Sequence, residues 1–173
     1  MRNILSVVVN NSFGVLSHVV GLFTRRGYNI DSLSVAPTAD VSESVITIVV
    51  NEEDKMIKQI IKQLSKLTDV IAVKNLTNRE AFKRELILIT VQFHKEKRTD
   101  FLGLIEAFKA TITDMSEDAA LIELTGLPRK VQAFLNAMAE FNIIDVARTG
   151  SIALEFPTAE RLKLLRKDKK NAS

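Results

Sequence analysis

The 173-residue chain has no cysteine and no tryptophan, and only six glycines, three prolines, one tyrosine and two histidines. Each scarcity removes a class of chemistry. Without cysteine there is no disulfide framework, no thiolate nucleophile and no thiolate-bound metal. Few Gly and Pro leave little room for long flexible linkers. His18 and His94 have neither a second histidine nor a carboxylate at ligand spacing, which argues against a metal site. No apolar run approaches the roughly 18 residues of a membrane span. The N-terminal "MRNILSVVVNN" is too short in its apolar part for a signal peptide and has no small-residue cleavage site. A cytoplasmic chain with no membrane partner is the expectation. Walker loop, dinucleotide fingerprint, nucleophile elbow and kinase signature are all missing, and no acidic pair stands out as an acid/base couple. No catalytic residue is assigned.

What is present is ordinary for a globular protein: 46% hydrophobic and 26% charged residues. The basic pI, about 9.2, has a local source. The tail "PTAERLKLLRKDKKNAS" carries six Lys/Arg and two Asp/Glu, so of the formal +3 the body holds −1. Such an end is expected to be a solvated, disordered terminus rather than a nucleic-acid arm.

The body repeats one pattern. "NILSVVV" (3–9) predicts a buried strand, and 15–26 a helix with Val15, Leu16, Val19, Val20 and Phe23 on one stripe and Gly27 as its stop. "YNIDSLSVA" (28–36) and "SVITIVV" (44–50) predict two strands. Met56, Ile57, Ile60, Ile61, Leu64 and Leu67 mark a second helix, with Asn51 and Asp54 as its cap, and "VIAVKNL" (70–76) a fourth strand. The order then recurs: strand 85–93, helix 99–110, a hairpin from "TITDMS" and "AALIELT", helix 128–141 opened by Pro128, and strand 143–154. The reading is α+β, two tandem ferredoxin-like βαββαβ domains: 1–77, a linker 78–84, 85–156, and the basic tail 157–173. Strand 44–50 is apolar on both faces, with Ile46, Ile48 and Val50 on one and Val45 and Val49 on the other, so the sheet's open face needs a cover. Either a second copy of the chain or its own second domain supplies it.

RNA-binding modules share this strand order, but they stack bases on aromatics of the first and third strands. "NILSVVV" and "SVITIVV" carry none, and the second unit offers only Phe93 at a strand end. The turn "NNSFGV" between the first strand and helix is the better candidate. A helix N-terminus presents free N–H groups and a favourable dipole to an anion. Gly14, Val15 and Leu16 supply such N–H groups, and Asn11 and Asn29 supply amide donors and acceptors. Together they suit the carboxylate and ammonium of an α-amino acid, provided the second strand brings Asn29 back near Asn11. The competing reading is that Asn11 shapes the turn and Gly14 permits it, with no ligand involved.

The stretch "NNSFGVLSHVVGLFTRRGYNIDSLSVAPT", with Asn11-x-x-Gly14-Val15-Leu16 followed by "GLFTRRGYNI" and "SVAPT", resembles the small, regulatory subunits of acetolactate synthase, whose first domain is an ACT domain. The likeness continues through "TIVV", "IIKQLSKLTDVIAV", "KRELILITV" and "DVARTGSIAL", over about residues 1 to 155. It implies a chain with no active site or cofactor of its own. Such a chain activates a thiamine-diphosphate-dependent catalytic subunit, which holds thiamine diphosphate, Mg²⁺ and FAD, and confers feedback inhibition by valine. It further implies a homodimer through the ACT domains, with effector-binding residues Asn11, Gly14, Val15, Leu16, Asn29 and Ile30. Two positions depart from the family pattern: His18 and Val45 stand where Arg is usual. The alternatives are a stand-alone amino-acid-sensing module acting on another enzyme or transcription complex, and a nucleic-acid binder using the tail.

Overall fold

The structure, a computed structural model, describes residues 2–78 and 81–157. The first unit is β1 (Arg2–Asn10), α1 (Val15–Arg26), β2 (Ser32–Pro37), β3 (Glu43–Asn51), α2 (Asp54–Leu64) and β4 (Val70–Asn75). Its antiparallel sheet runs β2-β3-β1-β4, with α1 and α2 on one face. Alternate residues explain this layering. Leu5, Val7 and Val9 of β1 and Ile46, Ile48 and Val50 of β3 point to the helices, which return Val15, Val19, Phe23, Ile57, Ile60 and Leu64. Gly27, at φ 70°, ends α1 with its N–H on Thr24 O, while Tyr28 N–H reaches Phe23 O. The start of α2 differs from expectation. Asn51 closes β3, and Glu53 holds the N-cap place with no side-chain capping bond.

The second unit repeats the order with β5 (Ala81–Gln92), a 3₁₀ turn (Lys95–Lys97), α3 (Arg98–Phe108), β6 (Thr111–Met115), β7 (Ala119–Gly126), α4 (Pro128–Met138), β8 (Asn142–Arg148) and β9 (Ile152–Glu155). Its main sheet runs β6-β7-β5-β8, and Ile87, Ile89, Val91, Ile122 and Leu124 meet Phe101, Val131, Phe134 and Met138 of the helices.

Two expectations change here. The linker expected at 78–84 is largely strand: Ala81–Arg84 open β5 and pair with β9. Lys83 and Arg84 concealed this, because the strand that pairs with the segment lies far along the chain. The single strand expected at 143–154 is two strands, broken at Thr149–Ser151, where Gly150 takes φ 75°. From residue 158 onward the tail lies outside the described residues.

The β5–β9 ribbon lies across the open face of the first sheet. Ala81 and Ala153 pack on Ile4, Val49 and Leu76, so the second unit of the same chain provides part of the cover. Val8 and Val45, farther along that face, stay half-buried.

At the junction Glu85 is 1% exposed. Its carboxylate accepts from Arg2 of the first unit (3.0 Å), from Nε of Arg148 (2.9 Å) and Nη2 of the same side chain, and from Ser151 Oγ. Burial pushes the Glu85 carboxyl up. The Ser151 and Arg148 hydrogen bonds, with the charges of Arg148 and Arg2, outweigh it and hold the group below its ordinary 4.5.

Two outcomes follow from this packing. Val49→Ala should cost about 2 kcal/mol in denaturant unfolding and Val45→Ala under about 1 kcal/mol, because only Val49 lies beneath the ribbon. Glu85→Gln should cost about 3 kcal/mol at neutral pH. Glu85 sheds its proton more readily folded than unfolded, so its contribution is complete above pH 4.5 and fades as pH falls through the lowered value. The gap between wild type and Glu85→Gln should therefore close on acidification.

Candidate functional site

The turn from β1 into α1 is built from backbone bonds. Asn10 N–H donates to Asp69 O (2.9 Å), Asn11 N–H to Ser42 O (2.7 Å) and Ser12 N–H to Asn10 O (3.0 Å). Asn11 also donates through Nδ2 to Val41 O (2.9 Å), tying the turn to the 38–42 loop. That loop is held by Asp40, which accepts from both the N–H and the Oγ of Ser42; these bonds lower its pKa. Gly14 occupies the N-cap place of α1 at φ 85°, ψ −14°, with no side-chain cap. A helix that starts this way offers its first-turn N–H groups outward. Val15 N–H makes only a 3.4 Å contact with Ser12 O. Val15 is buried, Leu16 is 40% exposed, and Phe13 is fully exposed beside them. Asn11, Gly14, Val15 and Leu16 are therefore together.

Asn29 and Ile30 are not with them. They lie in the connection between α1 and β2, before the strand rather than on it. Ile30 packs against the first core, while Asn29 is exposed and donates to Asp31 (3.3 Å). Asp31 N–H bonds Val49 O, whereas Asn11 N–H bonds Ser42 O, beside Glu43. Val49 and Glu43 are six residues apart on β3, about 20 Å along an extended strand. The expectation that Asn29 returns near Asn11 is overturned. The chain leaves α1 at the far end of the sheet, and β2 has to run its whole length to regain the Asn11 end.

Between the two groups lies an exposed helix face and a strand edge. Leu16, Ser17, Val20, Gly21, Thr24 and Arg25 line an open groove of about 520 Å³ on the outside of α1. Leu16 and Val20 thus stand outside the core stripe to which periodicity assigned them; Leu22 takes their place inward. β2 pairs only with β3 and is an edge, with Val35 43% exposed. Sequence reasoning gave no place to Phe13 or Gly21 and put Val20 in the core. The clues were an aromatic inside a polar turn and an apolar stripe wider than one core contact needs. His18 is solvent-exposed, with Nδ1 3.3 Å from Asp69, and borders the α1 start.

Among the described residues no group of three or more His, Cys, Asp or Glu is placed to hold a metal, and no helix is long and apolar enough to cross a membrane. The geometry can bind a small anionic or zwitterionic group at the α1 start.

Known proteins resemble this chain along most of its length. A family model described as "AHAS small subunit-like ACT domain" matches residues 5–72, and one described as "Small subunit of acetolactate synthase" matches 84–156. A probable acetolactate synthase small subunit of Archaeoglobus fulgidus is 44% identical, covering 89% of this chain and 96% of the relative. The acetolactate synthase small subunit of Bacillus subtilis is 38% identical, covering 93% and 94%. The crystal structure of the small subunit from Thermotoga maritima superposes with a TM-score of 0.84 at 35% identity, covering 92% of this chain and 99% of that one.

The α1 start yields a direct test. A Cβ at Gly14 would meet nothing within 4 Å, so the only cost of Gly14→Ala is its left-handed backbone. The expected loss is about 1 kcal/mol by thermal or denaturant unfolding. A loss above about 3 kcal/mol would mean the turn is packed rather than open.

Proposed function

The chain belongs to the family of acetolactate synthase small subunits, and from that membership we propose that it is the regulatory subunit of such an enzyme. It has no active site of its own. It binds the thiamine-diphosphate-dependent catalytic subunit, raises its activity and confers feedback inhibition by valine; thiamine diphosphate, Mg²⁺ and FAD are held by that partner. Residues 1–77 form the effector-binding ACT unit, and residues 85–156 meet the catalytic subunit.

One observation carries the amino-acid reading: Asn11, Gly14, Val15 and Leu16 lie at one end of the first sheet and Asn29 and Ile30 at the other, with the β2 edge between them. β2 runs from Ser32 at the Asn29 end to Pro37, opposite Ser44, at the Asn11 end. If two copies pair their β2 edges antiparallel about a two-fold axis, each copy's Asn29 and Ile30 come beside the Asn11–Leu16 turn of the other. Two equivalent sites form, each from two chains. Valine suits them. Its carboxylate takes the first-turn N–H groups of α1, its ammonium the amide oxygens of Asn11 and Asn29, and its isopropyl group the side chains of Leu16 and Ile30. The exposed Leu16 and Val35, the half-buried Val20 and the groove on α1 are covered in the same pairing.

Inhibition requires that the valine-bound pairing support the catalytic subunit less well than the unbound one; affinity alone shifts nothing. The test exploits the shared site. Gly14→Asp places a carboxylate where the ligand's should lie, and Asn29→His exchanges the amide oxygen for a bulkier imidazole. Each variant homodimer should activate the catalytic subunit yet resist valine. A hybrid of one Gly14→Asp chain and one Asn29→His chain carries both defects in one site and leaves the other intact, so valine sensitivity should return in part. A hybrid as resistant as both parents would rule out the two-chain site.

A further inference from the structure

Starting from the amino-acid reading above, we infer that Arg2 and Glu85 are positioning residues that couple the Asn29–Ile30 end of the effector site to the second unit. β5 is one continuous strand, but its partners change at Glu85. Ala81–Arg84 pair with β9 against the first sheet, while Glu85–Gln92 pair with β7, and Ile87–Gln92 also with β8, in the second. The buried carboxylate sits at that change. It is gripped from the second unit by Arg148 and Ser151 and from the first by Arg2, the opening residue of β1. Arg2 pairs with Asn51 at the same end of the first sheet at which Asp31 bonds Val49. The grip on Glu85 is therefore applied where Asn29 and Ile30 enter β2.

A cleft of about 410 Å³ joins the two regions, with Asp31, Ser32 and Leu33 on one wall and Glu85, Thr149 and Gly150 on the other. The contact across it is close. A Cβ at Gly150 would stand 3.1 Å from both Cβ and Oγ of Ser32. Ser32 Oγ is buried without a hydrogen-bond partner, whereas Glu85 opposite has every oxygen engaged. Any displacement of the β2 start would press Ser32 against the Thr149–Ser151 turn, whose Ser151 donates to Glu85. Close-packed polar seams move between discrete arrangements rather than by continuous creep. A ligand that fixes Asn29 and Ile30 thereby sets the position of Asp31 and Ser32, and through them the angle at which the second unit is held.

The test uses the full chain and the holoenzyme rebuilt with its catalytic subunit. Arg2 is half-exposed, so Arg2→Gln removes the cross-unit charge without opening a core, even should Glu85→Gln fail to fold. Arg2→Gln should bind valine calorimetrically within about twofold of wild type and activate the catalytic subunit equally. The activity that remains at saturating valine should rise at least about threefold over wild type. By linkage, the factor by which the catalytic subunit shifts valine affinity should shrink equally. Arg2→Lys, which keeps the charge, should restore both. Unchanged inhibition in Arg2→Gln while wild type binds valine would overturn the coupling role alone. Failure of wild type to bind valine would overturn the amino-acid site, and the coupling role with it.

Discussion

The antiparallel register of β1 on β3, with a single twelve-residue helix returning across it, is the constraint on which the rest depends. A helix of that length spans about 18 Å. Its start and its end must therefore lie at opposite ends of the sheet it covers. A glycine-capped helix N-terminus is held at one end by Asn11 and the 38–42 loop, and an asparagine after the helix stop at the other. No side-chain motion closes about 20 Å, so a small ligand touching both groups has to bind between two copies of the chain. The exposed β2 edge and the apolar groove along α1 are what such a pairing would use.

A second consequence concerns the open face of that sheet. Part of it is covered from within the chain, because β5 begins early and lays Ala81, with Ala153 of β9, on Ile4, Val49 and Leu76. Small residues allow close approach, and the ion cluster around Glu85 then fixes where the strand crosses from one sheet to the other. Burying a carboxylate is costly. Here two guanidiniums and a hydroxyl offset that cost, and the contact joins residues 83 positions apart in the chain. The two units thus share a strand and a charge cluster rather than a loose tether.

Much of this was legible in the sequence. The doubled βαββαβ order follows from strand runs rich in Val and Ile and from two amphipathic helices in each unit; the turn at Asn11 and Gly14 follows from one glycine placed just before an apolar helix. Three things were hidden, each for a physical reason. Ala81–Arg84 looked like linker because two cations follow Ala81 and Phe82, and the β9 pairing that makes the segment a strand comes from far along the chain. The break at Thr149–Ser151 was masked because a single glycine among β-formers does not say which way its backbone turns. The separation of Asn29 from Asn11 depends on register, a long-range property that local pattern does not encode. Leu16 and Val20 did carry a signal, a stripe too wide for one core.

The central claim is that the amino-acid site is shared by two copies of the chain. Sedimentation of the purified chain over a dilution series, with and without valine, tests it most directly. A shared site requires valine to drive monomers into dimers, lowering the dimer dissociation constant as valine rises. If valine binds the monomer equally well and leaves the association constant unchanged, the site lies within one chain and the account is wrong.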